Sequence, residues 1–235
     1  MATLNLLKTF TTQRFRPPLI RQSFQLQFPK TELETRVQQQ QRPLTLRYQL
    51  SKRILDITGA LSLLFLTSPL LILVAVLIRI SSSGPVIFQQ QRIGFQGKLF
   101  TIHKFRTMYS EAPKYGYHPS NDQDPRITPI GKWLRRLSLD ELPQLWNVLR
   151  GEMSLVGPRP EMPFIVTTYS DYQLRRLTVK PGLTGLWQIS SDRGLPIHEN
   201  LQHDFYYISQ VSLGVDLGIL SITPVILALG KVRGQ

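Results

Sequence analysis

Between Ala60 and Ile78 the chain reads ALSLLFLTSPLLILVAVLI, nineteen residues without a charge. A straight helix of that length would reach about 28 Å, close to the hydrocarbon thickness of a bilayer, so the segment is long enough to cross a membrane. Its middle argues for something else. Pro69 removes the N–H that would bond the Phe65 carbonyl, and its ring biases Ser68 away from helical geometry. Thr67 and Ser68 are the side chains able to satisfy the freed backbone groups inside lipid. Arg47, Lys52 and Arg53 precede the run and Arg79, Arg92 and Lys98 follow it, so the positive-inside rule gives no asymmetry and is met most simply with both ends on one face. Three arrangements stay open on these grounds: a spanning helix, slightly favoured by hydropathy, a bent re-entrant hairpin in one leaflet, and a buried core helix of a soluble protein.

At 235 residues the chain has room for one domain, or one domain and an arm. Its 28 basic against 15 acidic side chains, a net charge of +13, point to an anionic partner: nucleic acid, an acidic membrane surface or a phosphorylated substrate. The absence of cysteine excludes disulfides, thiol catalysis and cysteine zinc sites. His103, His118, His198 and His203 form no H-x-x-x-H or H-E-x-x-H spacing, which argues against a zinc hydrolase. Residues 1–48 are rich in Thr, Gln, Arg and Pro, reach their first acidic residue at Glu32 and hold no sustained apolar run. They read as a disordered basic arm, with VQQQQRP over Val37 to Pro43 as a linker. Residues 49–83 then form the membrane helix and 84–235 a second unit.

In that unit Val86 to Phe88 and Leu99 to His103 read as short strands separated by Gly94 and Gly97, a hairpin pattern. Arg92, Lys98, Lys104 and Arg106 cluster near its ends, as a solvated edge or as a phosphate-binding strip. Glu111 to Pro129 reads as a loop over the site. Ile130 to Leu137 reads as a basic amphipathic helix, at a lipid surface or on the outside of a soluble fold. Pro163 to Leu177 reads as helix, KPGLTGLWQIS as a turn and a short strand holding Trp187, and VSLGVDLGILSITPVILALG as surface-lying or packed helices, because a second spanning segment would place Asp216 in lipid.

An adjacent acidic pair in so basic a chain needs a reason. Ser138 to Glu141 fits the S-x-x-E capping box, with Leu137 and Leu142 placed for a hydrophobic staple, and would simply start a helix. Pro143 sits badly in a helix begun there. The alternative is that one of Asp140 and Glu141 is a nucleophile or base and the other a metal ligand, in a positive field that keeps both ionised.

Taken together, KRILDITGA before the Ser-Pro-broken run, SSSGPVIFQQQRIGFQGKLFTIHKFRTM, LSLDELPQLWNVLRGEMSLVGPRPE and VKPGLTGLWQI resemble the bacterial sugar transferase family, the monotopic phosphoglycosyl transferases or polyprenyl-phosphate hexose-1-phosphate transferases. The resemblance runs from about Lys52 to the C-terminus, with several long motifs in the family's order. It implies a membrane-associated α+β protein: a re-entrant helix kinked at Ser68 and Pro69, and a small cytosolic α/β catalytic domain with interfacial amphipathic helices. The implied location is the bacterial inner membrane, monotopic, with the domain facing the cytosol.

The resemblance also implies an activity: transfer of a sugar 1-phosphate from a UDP-sugar to polyprenyl phosphate with release of UMP, the step that initiates exopolysaccharide, capsule or O-antigen assembly. Asp140 falls on the family's nucleophile, which forms a covalent phospho-sugar intermediate, and Glu141 on its dyad partner. Both are expected to bind Mg²⁺. Arg159, Lys104, Arg106, Arg92, Asp204 and Tyr207 are expected around the substrate. Membrane lipid is an implied partner, nucleic acid is not, and a homodimer is allowed. Larger family members carry further spanning helices and an extra domain ahead of this core, and SSDRG departs from the family's shorter Gly-Arg ending. The competing reading is a membrane-anchored basic module binding acidic lipid or nucleic acid without catalysis. It has no use for the acidic pair, and no helix-turn-helix, RNA-recognition or zinc pattern accompanies it.

Overall fold

A computed structural model describes residues 30–40, 44–113 and 123–228. It begins with helix α1 (Lys30–Gln39), followed by the 36-residue helix α2 (Leu46–Ser81) that contains the charge-free run. The expectation of an unstructured arm fails over residues 30–39: Leu33 and Val37, one helical turn apart, are buried among Ile93, Val166, Tyr169, Leu174 and Leu177, and Arg36 pairs with Asp171 at 2.6 Å. The part of that arm over residues 1–29 lies outside the described residues, as do residues 41–43 of the expected linker.

Helix α2 runs unbroken through Pro69. The Phe65 carbonyl, deprived of its donor by the proline, accepts from the Ser68 hydroxyl at 2.8 Å, and Thr67 donates to the Leu63 carbonyl at 2.6 Å. The two hydroxyls satisfy backbone groups where water would be absent. Both halves of α2 lie against the rest of the chain. In the first half Arg53 donates to the carbonyls of Val148 and Leu149, and Asp56 accepts from the Ser154 hydroxyl and the Leu155 N–H. Ala60 is buried with Leu155 and Val148. In the second half Val74 and Ile78 pack on Phe105 and Leu134. Between them Leu61, Phe65, Leu66, Ile72 and Leu73 are exposed.

Strands β1 (Ile87–Ile93) and β2 (Leu99–Phe105) form the expected antiparallel hairpin, longer than its apolar cores suggest, paired from Ile87 opposite Phe105 to Ile93 opposite Leu99. Its connection turns through Gly97 at φ 76°, where glycine has no steric cost. After residues 114–122, where the centre of the expected loop lies outside the described residues, comes α3 (Pro129–Arg136), the expected basic amphipathic helix. It is capped by the Thr128 hydroxyl, with Leu134 inward and Trp133 exposed.

The capping box at Ser138 does not form. Ser138 turns left-handed at φ 56° with no side-chain cap, and Leu139–Gln144 winds as a 3-10 helix. In α geometry the Pro143 ring would strike the Leu139 carbonyl, so regular helix starts only beyond it, as α4 (Leu145–Arg150). The chain continues through β3 (Ser154–Val156), α5 (Pro163–Val166), α6 (Asp171–Leu174), β4 (Gly182–Thr184), α7 (Leu186–Ile189), α8 (Gln202–Ser209) and α9 (Leu213–Ala228). Two elements differ from what the sequence led one to expect. The single helix expected over Pro163 to Leu177 is broken into short pieces, and Trp187 lies on α7 rather than on a strand, because β4 stops at Thr184.

Strands β3 and β4 pair in parallel, and this joins two distant motifs. Ser154 N–H donates to Pro181, Gly157 N–H to Thr184 and Gly182 N–H to Pro158, all within 2.9 Å. A Cβ at Gly182 would run into the Gly157 backbone, so the close approach requires glycine. Asp216 on α9 is buried in protein, not lipid: it accepts from Tyr48 and Lys52 of α2 and from Tyr207 of α8. The whole is an α+β arrangement, one long apolar helix against a small region of mixed helix and strand.

Candidate active site

Three local rules bring the charged groups together. The 3-10 helix puts Asp140 and Glu141 beside the end of the hairpin, with Asp140 buried. Alternation along β2 puts Lys104 on the same face as Phe100 and Ile102, and its Nζ reaches Glu141 Oε1 at 2.9 Å. The turn after β3 presents Arg159, whose Nη2 and Nη1 lie 2.6 and 3.1 Å from Glu141 Oε1 and Oε2, a two-pronged grip.

Burial opposes the charge on Glu141, but Arg159 and Lys104 outweigh it and hold its carboxyl well below the usual range. For Lys104 burial wins: its pKa is lowered, although Glu141 and Asp140 pull the other way. Arg159 is also desolvated, yet Glu141 and then Asp140 keep it firmly charged. The result is two carboxylates and two cations in one partly dry cluster.

The turn carrying Arg159 is held by its carbonyls. Pro158 and Pro160 have no N–H, so the oxygens are their only main-chain handles. Pro158 accepts from Gly182 N–H at 2.9 Å, Arg159 from Arg176 Nη2 at 2.8 Å, Pro160 from Arg92 Nη1 at 3.3 Å and Glu161 from Ile93 N–H at 3.1 Å. Behind the turn Glu161 lies between Arg92 and Arg176 at 3.7 and 3.6 Å, and Asp204 sits 2.8 Å from Arg176.

Of the expected site residues, then, Glu141, Lys104 and Arg159 meet directly, and Asp140, the neighbour of Glu141 in the chain, is near enough for its charge to act on both cations. Arg92 and Asp204 stand one layer back, buried under the turn. Arg106 and Tyr207 are elsewhere. Arg106 donates to the Ser82 and Ser83 carbonyls and to the Ser82 and Ser110 hydroxyls, clamping the chain as it leaves α2. The Tyr207 hydroxyl donates to Asp216 at 2.7 Å, and burial together with that carboxylate pushes its pKa up. Ser68 and Pro69 lie within α2. Sequence reasoning missed Asn147, Glu161 and the part played by Arg176. Asn147, fully buried, accepts from His103 N–H and donates to the Thr101 carbonyl and Glu152, tying α4 to β2. No local pattern marks it.

Among the described residues no group of three or more His, Asp or Glu side chains could hold a metal. Mg²⁺ does not require one, since it is commonly held by one or two carboxylates together with water and substrate phosphates. The adjacent Asp140 and Glu141 fit that limited donor set, although Glu141 already faces two cations.

Comparison with known proteins adds a lineage. A family model described as bacterial sugar transferase matches residues 47–230. The undecaprenyl-phosphate glucose phosphotransferase of Komagataeibacter xylinus is 43% identical over 197 residues, covering 78% of this chain and 37% of that protein. The uncharacterized sugar transferase EpsL of Bacillus subtilis is 41% identical over 172 residues, covering 73% and 84%. The UDP-N-acetylgalactosamine-undecaprenyl-phosphate N-acetylgalactosaminephosphotransferase of Aeromonas hydrophila is 40% identical over 179 residues, covering 74% and 42%. The chain thus spans less than half the length of the first and third of these relatives.

Proposed function

The chain belongs to the bacterial sugar transferase family, and from that premise we propose that it moves a sugar 1-phosphate from a UDP-sugar to polyprenyl phosphate, undecaprenyl phosphate in a bacterium, and releases UMP. The observation that carries the reading is the acidic pair beside two cations: Glu141 bonds to Lys104 and Arg159, and the buried Asp140 precedes it in the chain. A carboxylate approaching a diphosphate is repelled unless cations offset the charge, and two stand beside this pair.

Both oxygens of Glu141 are taken up by Arg159 and Lys104, so the attacking oxygen is assigned to Asp140. An Asp140 oxygen bonds to the β-phosphorus while the bond from that phosphorus to the oxygen bridging the two phosphates breaks, and UMP leaves with the electron pair. An oxygen of the lipid phosphate then attacks the same phosphorus. The bond to Asp140 breaks, and the carboxylate returns as polyprenyl diphosphate-sugar forms. Covalent capture lets a soluble donor and a lipid acceptor use one site in turn. Mg²⁺, held by Asp140 and Glu141 with substrate oxygens, would neutralise the diphosphate. Arg159 and Lys104 orient the phosphates and Glu141 keeps those two cations in place.

A re-entrant α2, entering and leaving on the cytosolic face of the inner membrane, belongs to this reading. Support comes from both halves of α2 resting on the same domain, Asp56 on β3 and Ile78 on β2 and α3. Exposed Leu61, Phe65, Leu66, Ile72 and Leu73 lie between these anchors and supply the lipid-facing surface.

The test is UMP release by the full chain in detergent, with UDP-sugar, polyprenyl phosphate and Mg²⁺. Asp140→Asn is expected to lower kcat by about 1,000-fold or more, in line with the loss of a covalent nucleophile, while still partitioning into membranes. Mass analysis without lipid acceptor should find the sugar phosphate on Asp140. Near-normal turnover by Asp140→Asn would overturn the assignment of the nucleophile.

A further inference from the structure

Behind the Arg159 turn lies a cation with no place in the proposed chemistry. Arg176 is 1% exposed at its side chain, the more buried of two adjacent arginines. Its neighbour Arg175 lies over the ring of Tyr172 at 5.3 Å. The Arg176 guanidinium spends its donors in different directions: Nη1 on the Tyr169 hydroxyl at 2.7 Å and Nη2 on the Arg159 carbonyl at 2.8 Å. Asp204 at 2.8 Å and Glu161 at 3.6 Å balance its charge, and together with Tyr169 they keep it protonated against the cost of burial. Burying such a group is expensive and is offset only where partners satisfy its charge and its donors, as these do.

What it fixes is the main chain of the residue that grips Glu141. Arg159 lies between two prolines, so its backbone position depends on what its own carbonyl and those beside it accept. The Pro158 and Glu161 carbonyls are held by backbone amides of β4 and β1, whereas those of Arg159 and Pro160 are held by side chains, Arg159's by Arg176 at 2.8 Å and Pro160's by Arg92 at a longer 3.3 Å. We infer that Arg176 is a positioning residue for the transfer reaction, setting the backbone of Arg159 so that its guanidinium meets Glu141 and the incoming diphosphate. Its bonds go to Tyr169, the Arg159 carbonyl, Asp204 and Glu161, and it acts through Arg159. Lysine cannot substitute, because a single ammonium cannot reach the Tyr169 hydroxyl and the Arg159 carbonyl in the same fixed fork.

The inference rests on the phosphotransferase reading, and the experiment separates the two. UMP release is measured with whichever of UDP-glucose, UDP-galactose, UDP-N-acetylglucosamine and UDP-N-acetylgalactosamine the wild-type chain turns over fastest. Arg176→Lys and Arg159→Ala are made singly and together, and UDP affinity is measured by calorimetry on these three variants and the wild type. A group acting through Arg159 gives non-additive losses. The expected result is a fall in kcat/KM of about 10- to 100-fold, the scale of a reactive group displaced by about 1 Å, when Arg159 is present, and less than about 2-fold when it is alanine. UDP affinity should follow the same pattern. Equal losses in both backgrounds, or no loss in either, overturn the inference. If Arg176→Lys does not fold, Tyr169→Phe, which removes only the hydroxyl that steers Nη1, decides on the same criterion. A wild-type chain that neither binds UDP nor releases UMP overturns the phosphotransferase reading and this inference together, whereas an active wild type with additive losses overturns the inference alone.

Discussion

Lys104, Phe105 and Arg106 are consecutive, and each faces a different neighbour. Lys104 turns to Glu141, Phe105 to the second half of α2, and Arg106 to the carbonyls that end it. Replacing Lys104 and Arg106 should therefore affect different properties. Lys104→Met is expected to cut kcat/KM by about 10-fold or more with little change in Tm. Arg106→Met loses several charge-assisted hydrogen bonds, each worth roughly 1.5–3 kcal/mol, and should lower Tm while leaving KM of the folded fraction unchanged. Matching effects on Tm and KM in the two variants would show that the division is wrong. The pH profile separates the site's charges further. Lys104 has its pKa lowered by burial, so it loses its proton, and with it the contact to Glu141, at a pH below that of an ordinary lysine. An alkaline limb of kcat/KM should appear there and move upward in Lys104→Arg. Glu141 is depressed instead. Its stabilising pairing is complete above the ordinary carboxylate pKa and is lost only as pH falls through its depressed folded value, so the acid limb should be insensitive to Lys104→Arg. An alkaline limb that stays put in Lys104→Arg would show that another group controls it.

At the scale of elements, what could be read depended on whether the cause was local. The β1–β2 hairpin and α3 are legible because alternation, a glycine turn and an amphipathic period lie within each segment. The acidic pair and the Pro-Arg-Pro turn could be found as motifs, but not the buried support under them, since Arg92, Arg176 and Asp204 converge from β1, the segment before β4 and α8. The capping-box reading of Ser138 fails for the reason its sequence already held, since Pro143, five residues on, dictates the backbone. Helix α1 gave no signal at all. A helix of that length is marginal alone and forms by docking, here through Leu33 and Val37 against Tyr169, Leu174 and Leu177, the side chains around the Arg176 layer. Leu33→Ala with Val37→Ala should therefore destabilise the domain by about 3–6 kcal/mol, summing typical large-to-small core losses, as read from thermal unfolding in detergent. An unchanged Tm would mean that α1 does not hold to this face in solution.

For the molecule as a whole, the exposed apolar stretch of α2 and the net charge of +13 have to be reconciled with one bilayer. A spanning α2 would put its ends on opposite faces, yet Asp56 bonds to Ser154 and Leu155 while Ile78 packs with Phe105 and Leu134, all in the region that follows the helix. Pulling either half across the membrane would leave Asp56 unpaired or uncover the Phe105 cluster, and a buried acceptor stripped of its partners costs about 1–3 kcal/mol. A same-face entry and exit keeps both sets of contacts and places the basic flanks, Arg47, Lys52 and Arg53 before the run and Arg79 after it, together at anionic headgroups. Because the chain has no cysteine, single-cysteine variants report position without background labelling. Gln49→Cys, in the first turn of α2, and Ser83→Cys, just past its end, flank the charge-free run, and Phe65→Cys marks its exposed middle. In inverted inner-membrane vesicles, a membrane-impermeant maleimide is expected to label residues 49 and 83 equally, and residue 65 only after detergent. Labelling of just one flank from the outside, with the other released by detergent, would establish a spanning helix. It would also require the contacts of one half of α2 to be given up in the membrane.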